Sequence, residues 1–252
     1  MILVLAGTKD GRDLVNLLIN YDYEVMASVF SDYGRELIDL GVPVHTGPLD
    51  SNGFTTLIHT NKITMIVDAS HPYAVNVSEN AMKACQATTI AYVRYERPSA
   101  ALPNYDGLHI VHDYAEAAQV AGSLGKTIFL TTGSRHLKIF KNSTFLHKHR
   151  LIARVLPEPG VLTECLELGF TPRDIVAIQG PFSHELNVAL FEEYHAEVIV
   201  TKNSGEIGGS DTKITAAMEL HLPLVVIDRP IIQYNNVVYD VTEVIKFIRE
   251  VY

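Results

Sequence analysis

Residues 63–93 read ITMIVDASHPYAVNVSENAMKACQATTIAYV and hold one complete strand–helix–strand unit. Ile63 to Val67 reads as a buried strand that stops at Asp68. From about Val75 to Ala87 the apolar residues fall at helical spacing, and Thr89 to Val93 reads as the next strand. Two such strands joined by a helix predict a parallel pair.

The same alternation extends in both directions. Toward the N-terminus, strands are predicted at Ile2 to Ala6, Glu24 to Val29 and Val42 to Val44, with helices at Asp13 to Asn20, Gly34 to Leu40 and Gly53 to Asn61. Residues 98–108 carry two prolines and a glycine, and the crossing between two domains is placed there. Beyond it, strands are expected at Thr127 to Thr131, Phe145 to Val155, Ile175 to Gln179, Val198 to Thr201 and Leu224 to Ile227. Helices are expected at Ala115 to Leu124, Val161 to Leu168, His184 to Tyr194, Asp211 to Leu220 and Val241 to Val251. The expected fold is α/β: two doubly wound parallel-sheet domains, residues 1–105 and 106–252.

A length of 252 residues admits one large core or two smaller ones. The formal charge of −9 argues against a general nucleic-acid or membrane surface, though not against a local basic pocket. No apolar run approaches a membrane span, and the opening MILVLAG lacks the basic start of a leader. A cytoplasmic protein is expected, a monomer or weak homo-oligomer. Cys85 and Cys165 belong to no CxxC pair and read as buried free thiols.

Ligands of open parallel sheets bind beyond the carboxyl ends of the strands. Polar or glycine-containing segments fall there at Gly7 to Arg12, Asp68 to Ala74, Thr131 to His136, Gly180 to Asn187 and Lys202 to Lys213. Gly7-Thr8-Lys9-Asp10-Gly11-Arg12 is not the GxGxxG fingerprint; it reads either as an anion site at a helix start or as a tight turn capped by Thr8 or Asp10. In Ser70-His71-Pro72-Tyr73, His71 could hydrogen-bond a ligand or shuttle a proton, with Pro72 pinning the loop and Tyr73 stacking or packing. Thr131-Thr132-Gly133-Ser134-Arg135 reads as a phosphate nest, or as a turn with Ser134 as cap. Lys202, Asn203, Ser204 and Gly205, with Gly208, Gly209, Thr212 and Lys213, read as a ligand loop, or as a surface loop with Ser210 or Asp211 capping the next helix.

The run His147-Lys148-His149-Arg150 is either a basic ligand wall or a solvated strand edge; two histidines alternating on a strand are a meagre basis for zinc, and no metal site is expected. HExxH, GxSxG and the P-loop pattern are all absent. Chemistry needing no protein nucleophile, such as hydride transfer from a cofactor, suits this inventory.

Taken together and in order, GTKDGR, DASHPYA, TTGSRHL, RVLP (residues 154–157), QGPFSHELN (179–187) and TKNSGEIGGSDTKITAA (201–217) resemble the precorrin-6A reductase family of cobalamin biosynthesis over nearly the whole chain. The resemblance implies reduction of one double bond of a corrin-ring precursor, precorrin-6A or its cobalt form, by NADPH or NADH. It implies two Rossmann-like domains with the ligands between them. The cofactor contacts would be Thr131, Thr132, Gly133, Ser134, Arg135, Lys202, Asn203, Ser204, Gly205, Gly208, Gly209, Thr212 and Lys213. Those to the substrate would be Gly7, Thr8, Lys9, Arg12, Ser70, His71, Pro72, Tyr73, Arg94 and Arg97, and His71 is the candidate proton donor. Many family members open with a GG-T turn, where this chain has Ala6-Gly7-Thr8. The rival readings are a non-catalytic two-domain binder of a nucleotide or anionic small molecule, and a nucleotide-sugar enzyme, for which no catalytic pair is found.

Overall fold

The structure is a computed structural model and describes residues 1–97, 102–203 and 210–251, without the side chains of residues 210 and 211. Two compact units emerge: Met1–Pro98 with Pro230–Tyr252, and Ser99–Arg229.

The first unit holds β1 (Ile2–Leu5), α1 (Lys9–Asn20), β2 (Val25–Val29), α2 (Asp32–Glu36), β3 (Val44–Thr46), α3 (Ser51–Thr60), β4 (Met65–Asp68), α4 (Val75–Thr88) and β5 (Ala91–Tyr95). The second holds β6 (Leu108–Val111), α5 (Tyr114–Leu124), β7 (Thr127–Leu130), α6 (Leu137–Asn142), β8 (Arg150–Val155), α7 (Pro159–Glu167), β9 (Ile175–Ala177), α8 (His184–Glu193), β10 (Val198–Lys202), α9 (Ser210–Glu219) and β11 (Leu224–Ile227). The chain then returns to the first unit as β12 (Val237–Val238) and α10 (Val241–Val251).

The sheet orders are β12-β5-β4-β1-β2-β3 and β6-β11-β10-β7-β8-β9. Every described pairing is parallel. Each sheet has the doubly wound order; the outermost strand of the first, β12, comes from the last segment of the chain, and that of the second, β6, precedes the other five. β6 pairs with β11 at Leu108↔Leu224, and β12 pairs with β5 at Val237↔Arg94. The last segment therefore differs from the expectation that residues 106–252 form one domain. α10 buries Val244, Ile245 and Ile248 in the core of β1, β2, β4 and α1, so apolar area assigns it to the first unit.

Strand interiors explain the sheets: β1, β2, β4 and β11 are buried at every position. Caps set several helix starts: the Asp50 side chain accepts from Gly53 N at 2.7 Å, and that of Asp113 from Glu116 N at 2.8 Å. Gly11 lets α1 lie against β1, since a Cβ there would sit 2.8 Å from Ala6 Cα. The expected strand from Phe145 is shorter. Residues Thr144–Leu146 form a 3-10 turn and β8 begins at Arg150, so His147 and His149 precede the strand instead of alternating on its face. His149 Nε2 instead reaches the Gly122 carbonyl at 3.1 Å. Both cysteines are free and buried, and burial pushes the Cys85 thiol up to about 12.

Candidate functional site

In each unit the strand order reverses at one point, between β1 and β4 in the first and between β7 and β10 in the second. The loops after these four strands are the places where a doubly wound sheet binds ligands. They hold most of the predicted site residues.

In the first unit, Thr8 caps α1: its hydroxyl accepts from Gly11 N at 3.1 Å and donates to the Ala69 carbonyl at 2.9 Å. The cap and the tie between the two loops use most of what Thr8 offers. Gly7 is exposed, with open space where a Cβ would be. Lys9 points outward to Asp13 at 3.3 Å, both well exposed. Arg12 is half-buried and has no acceptor among the described residues.

The Ser-His-Pro-Tyr loop stands on a buried polar network absent from the sequence reading. Asp68, fully buried at the end of β4, accepts from Ser70 N (3.0 Å), Ser78 Oγ (2.6 Å), Tyr92 OH (2.7 Å) and Arg94 (2.9 Å). Arg94 also reaches Ser70 Oγ at 3.0 Å and Glu96 at 2.7 Å, and lies over the Tyr234 ring at 5.4 Å. Burial, the largest single influence on Asp68, would push its carboxyl up; the Arg94 charge and the hydrogen bonds from Ser70, Ser78 and Tyr92 together outweigh it and hold the carboxyl below its usual range.

Two of the arginines expected to face the substrate are engaged within the unit. Arg94 is 1% exposed and pairs with Asp68 and Glu96, while Arg97 is paired with Asp10 at 2.8 Å. His71 is half-buried; its Nδ1 accepts from Tyr73 N at 3.3 Å and its ring sits 5.6 Å from that of Tyr73. A backbone N–H on Nδ1 leaves the proton of a neutral imidazole on Nε2. Pro72 is buried beneath this turn.

In the second unit, Thr131 fastens the β7 loop to β10, its N–H and hydroxyl reaching the Val200 carbonyl at 2.9 and 3.0 Å. Gly133 has φ +80° with open space around a Cβ position. The Ser134 side chain does not cap α6: His136 precedes that helix without a side-chain cap. Arg135 is exposed. His136 stacks on Tyr114 at 3.9 Å, and burial with the nearby Lys202 and Arg135 charges holds its imidazole below the usual histidine range.

Among the described residues of this unit, Tyr114 Oη and His149 Nδ1 are buried without a hydrogen-bond partner, and so are three atoms at the strand ends: Thr132 Oγ1, Thr201 Oγ1 and Asn203 Oδ1. The residues of these three are at most 4% exposed and lie at the ends of the neighbouring strands β7 and β10. Thr132 and Asn203 were expected in the site; Thr201 was not. Such orphans are rare in folded interiors, and a polar ligand is one natural complement. The Thr212 hydroxyl donates to the Phe182 carbonyl at 3.1 Å, and Lys213 is buried. Ser204, Gly205, Gly208 and Gly209, and the side chains of Ser210 and Asp211, lie outside the described residues.

A family model described as Precorrin-6x reductase CbiJ/CobK matches residues 1–249. This chain belongs to that family. Among curated relatives, the Cobalt-precorrin-6A reductase of Priestia megaterium is 42% identical, over 97% of this chain and 96% of its own length. That of Methanothermobacter thermautotrophicus is 38% identical, over 91% of this chain and 76% of its own. The solved structure "CobK precorrin-6A reductase" superposes with a TM-score of 0.82 at 24% identity, covering 99% of this chain and 96% of that one, a likeness of fold. In this member of the CbiJ/CobK family, no group of three or more His, Cys, Asp or Glu among the described residues could hold a metal ion. No helix among them is long and apolar enough to cross a membrane.

Proposed function

We propose that the chain reduces one double bond of precorrin-6A or cobalt-precorrin-6A to the corresponding 6B compound, with NADPH or NADH as reductant, in cobalamin biosynthesis. The match to the Precorrin-6x reductase family over residues 1–249 carries this reading. The nicotinamide cofactor supplies the hydride when bound, so no protein nucleophile is required. The site is assigned to the carboxyl-end loops of each unit.

The second unit is assigned to the cofactor. Thr132, Thr201 and Asn203 supply unused hydrogen-bonding atoms, and Lys202, Arg135 and Lys213 supply positive charge for phosphate groups. Gly133, with Thr131 and Ser134, shapes the turn, and Ser204, Gly205, Gly208, Gly209 and Thr212 complete the proposed set. The first unit is assigned to the macrocycle. Arg12 is its best-placed cation for a carboxylate, because Arg94 and Arg97 are already paired. His71 would act through Nε2, as hydrogen-bond donor or as the source of the proton that accompanies the hydride. The Asp68–Arg94 network holds the backbone of that loop in place while the reaction proceeds. A cytoplasmic protein acting as a monomer or weak homo-oligomer fits this chemistry, with any cobalt held by the macrocycle.

Anaerobic incubation with the cobalt-containing and the metal-free precursor, separately, tests the proposal. Loss of reduced-nicotinamide absorbance is expected with at least one precursor and only in its presence. Cofactor binding without turnover of either would leave the non-catalytic binder as the better description.

A further inference from the structure

Arg154, near the end of β8, carries a charge that no described residue neutralises. It is 6% exposed. Arg94, Arg97 and Arg150 each have a carboxylate oxygen within 2.9 Å, whereas Arg154 forms no ion pair among the described residues. Among the described residues its one acceptor is Asn187 Oδ1, at 2.8 Å from a terminal nitrogen. Asn187 is itself fully buried and fixed, its amide donating to the Ser183 carbonyl at 2.8 Å and to Thr212 Oγ1 at 3.3 Å. The Phe182 ring covers the guanidinium face at 4.3 Å. Burial alone acts on the group and holds its pKa down to about 10, with no negative charge to offset it.

A guanidinium is planar and carries about five N–H donors around its edge. Aromatic cover on the face leaves that edge available. One donor is used, and the rest meet no acceptor among the described residues. Burying a cation in this way opposes folding unless something compensates. Oxyanions that arrive as ligands compensate it best, since their paired oxygens match the fork.

We propose that Arg154 anchors an oxyanion site in the second unit, taking two oxygens of a phosphate or carboxylate group, with Asn187 holding the fork in position. The two sources of that oxyanion follow from the reductase reading, on which this part rests: a phosphate of the nicotinamide cofactor or a side-chain carboxylate of the corrin precursor. The loop Phe182 to Asn187 and the start of α9 thereby join the ligand site.

Arg154→Met removes the charge at similar length, and Arg154→Lys keeps a charge without the fork. For each variant we would measure the melting temperature of the ligand-free protein, the Kd for NADPH and NADH by cofactor fluorescence, and the KM for the precursor. Removing an unpaired buried charge leaves the melting temperature near that of the wild type. At the same time one ligand weakens at least tenfold in the Met variant and at least threefold in the Lys variant. A weakened cofactor Kd assigns the phosphate; a raised precursor KM with unchanged cofactor Kd assigns the carboxylate. Affinities within twofold of wild type for both ligands overturn the proposal and leave Arg154 a packing residue. If the Met variant does not fold, the Lys variant decides. If the wild type binds no reduced nicotinamide and turns over no precursor, the reductase reading fails on its own. Pyrophosphate and citrate then probe the site by thermal shift: a wild-type shift absent from the Lys variant retains it, and equal shifts remove it.

Discussion

Asp68→Asn tests whether the buried network supports the Ser70–Tyr73 loop. The substitution keeps the shape and removes the charge. Asp68 accepts four hydrogen bonds from Ser70, Ser78, Tyr92 and Arg94. An amide can keep its oxygen toward Ser70 N and Arg94 while its NH2 faces the hydroxyls of Ser78 and Tyr92, which can turn to accept. The lost term is therefore mainly the countercharge of Arg94. Breaking a buried pair by removing one partner costs about 3–5 kcal/mol. Glu96, at 2.7 Å on the other side of the guanidinium, retains part of the compensation. We expect about 3 kcal/mol, at the low end of that range. Equilibrium urea unfolding near neutral pH, followed by circular dichroism, measures it; with two units the transitions must be fitted separately. The acid limb gives a second readout. An ordinary Asp titrates near 3.8, and Asp68 is held below that in the folded chain. Its contribution is therefore present above the unfolded value and is lost as pH falls from about 3.8 through the lower folded value. The Asn variant lacks this part of the slope. A loss under about 1 kcal/mol, with the acid limb unchanged, would refute the argument that the pair carries the loop.

Gly133→Ala places a side chain at φ +80°, where space is open but the backbone conformation is strained, at about 1–2 kcal/mol; the Kd for reduced nicotinamide should rise several-fold, and an unchanged Kd removes that turn from the site. Gly11→Ala forces a Cβ to 2.8 Å from Ala6 Cα, so α1 must shift from β1 at a cost of about 1–3 kcal/mol, read by urea unfolding. His136 is held below its usual pKa of 6.5 by burial and by Lys202 and Arg135. A phosphate bound beside those cations would raise it again, so cofactor affinity should tighten as pH falls through and below 6.5, and His136→Gln should flatten that dependence in Kd titrations. A pH-independent wild-type Kd would count against phosphate binding at this corner.

The sequence alone determined the strand–helix alternation, because short apolar runs such as Ile2 to Ala6, bounded by turn residues, suit a strand buried on both faces. It also determined which loops to watch, since polar residues after buried strands have few other places to lie. Periodicity reports burial, however, and not partners. Pairing of β12 with β5 brings Asn236 to the Tyr92 carbonyl across 144 positions, and no local pattern encodes that. The same limit applies to charge. Arg12, Arg94, Arg97 and Arg154 look alike as letters in a sequence. Only the tertiary structure gives Arg94 to Asp68 and Arg97 to Asp10, leaves Arg12 half-buried in the first turn of α1, and buries Arg154 beneath Phe182 without a carboxylate among the described residues. An arginine's chemistry depends on the acceptors within about 3 Å, and the fold decides which residues those are.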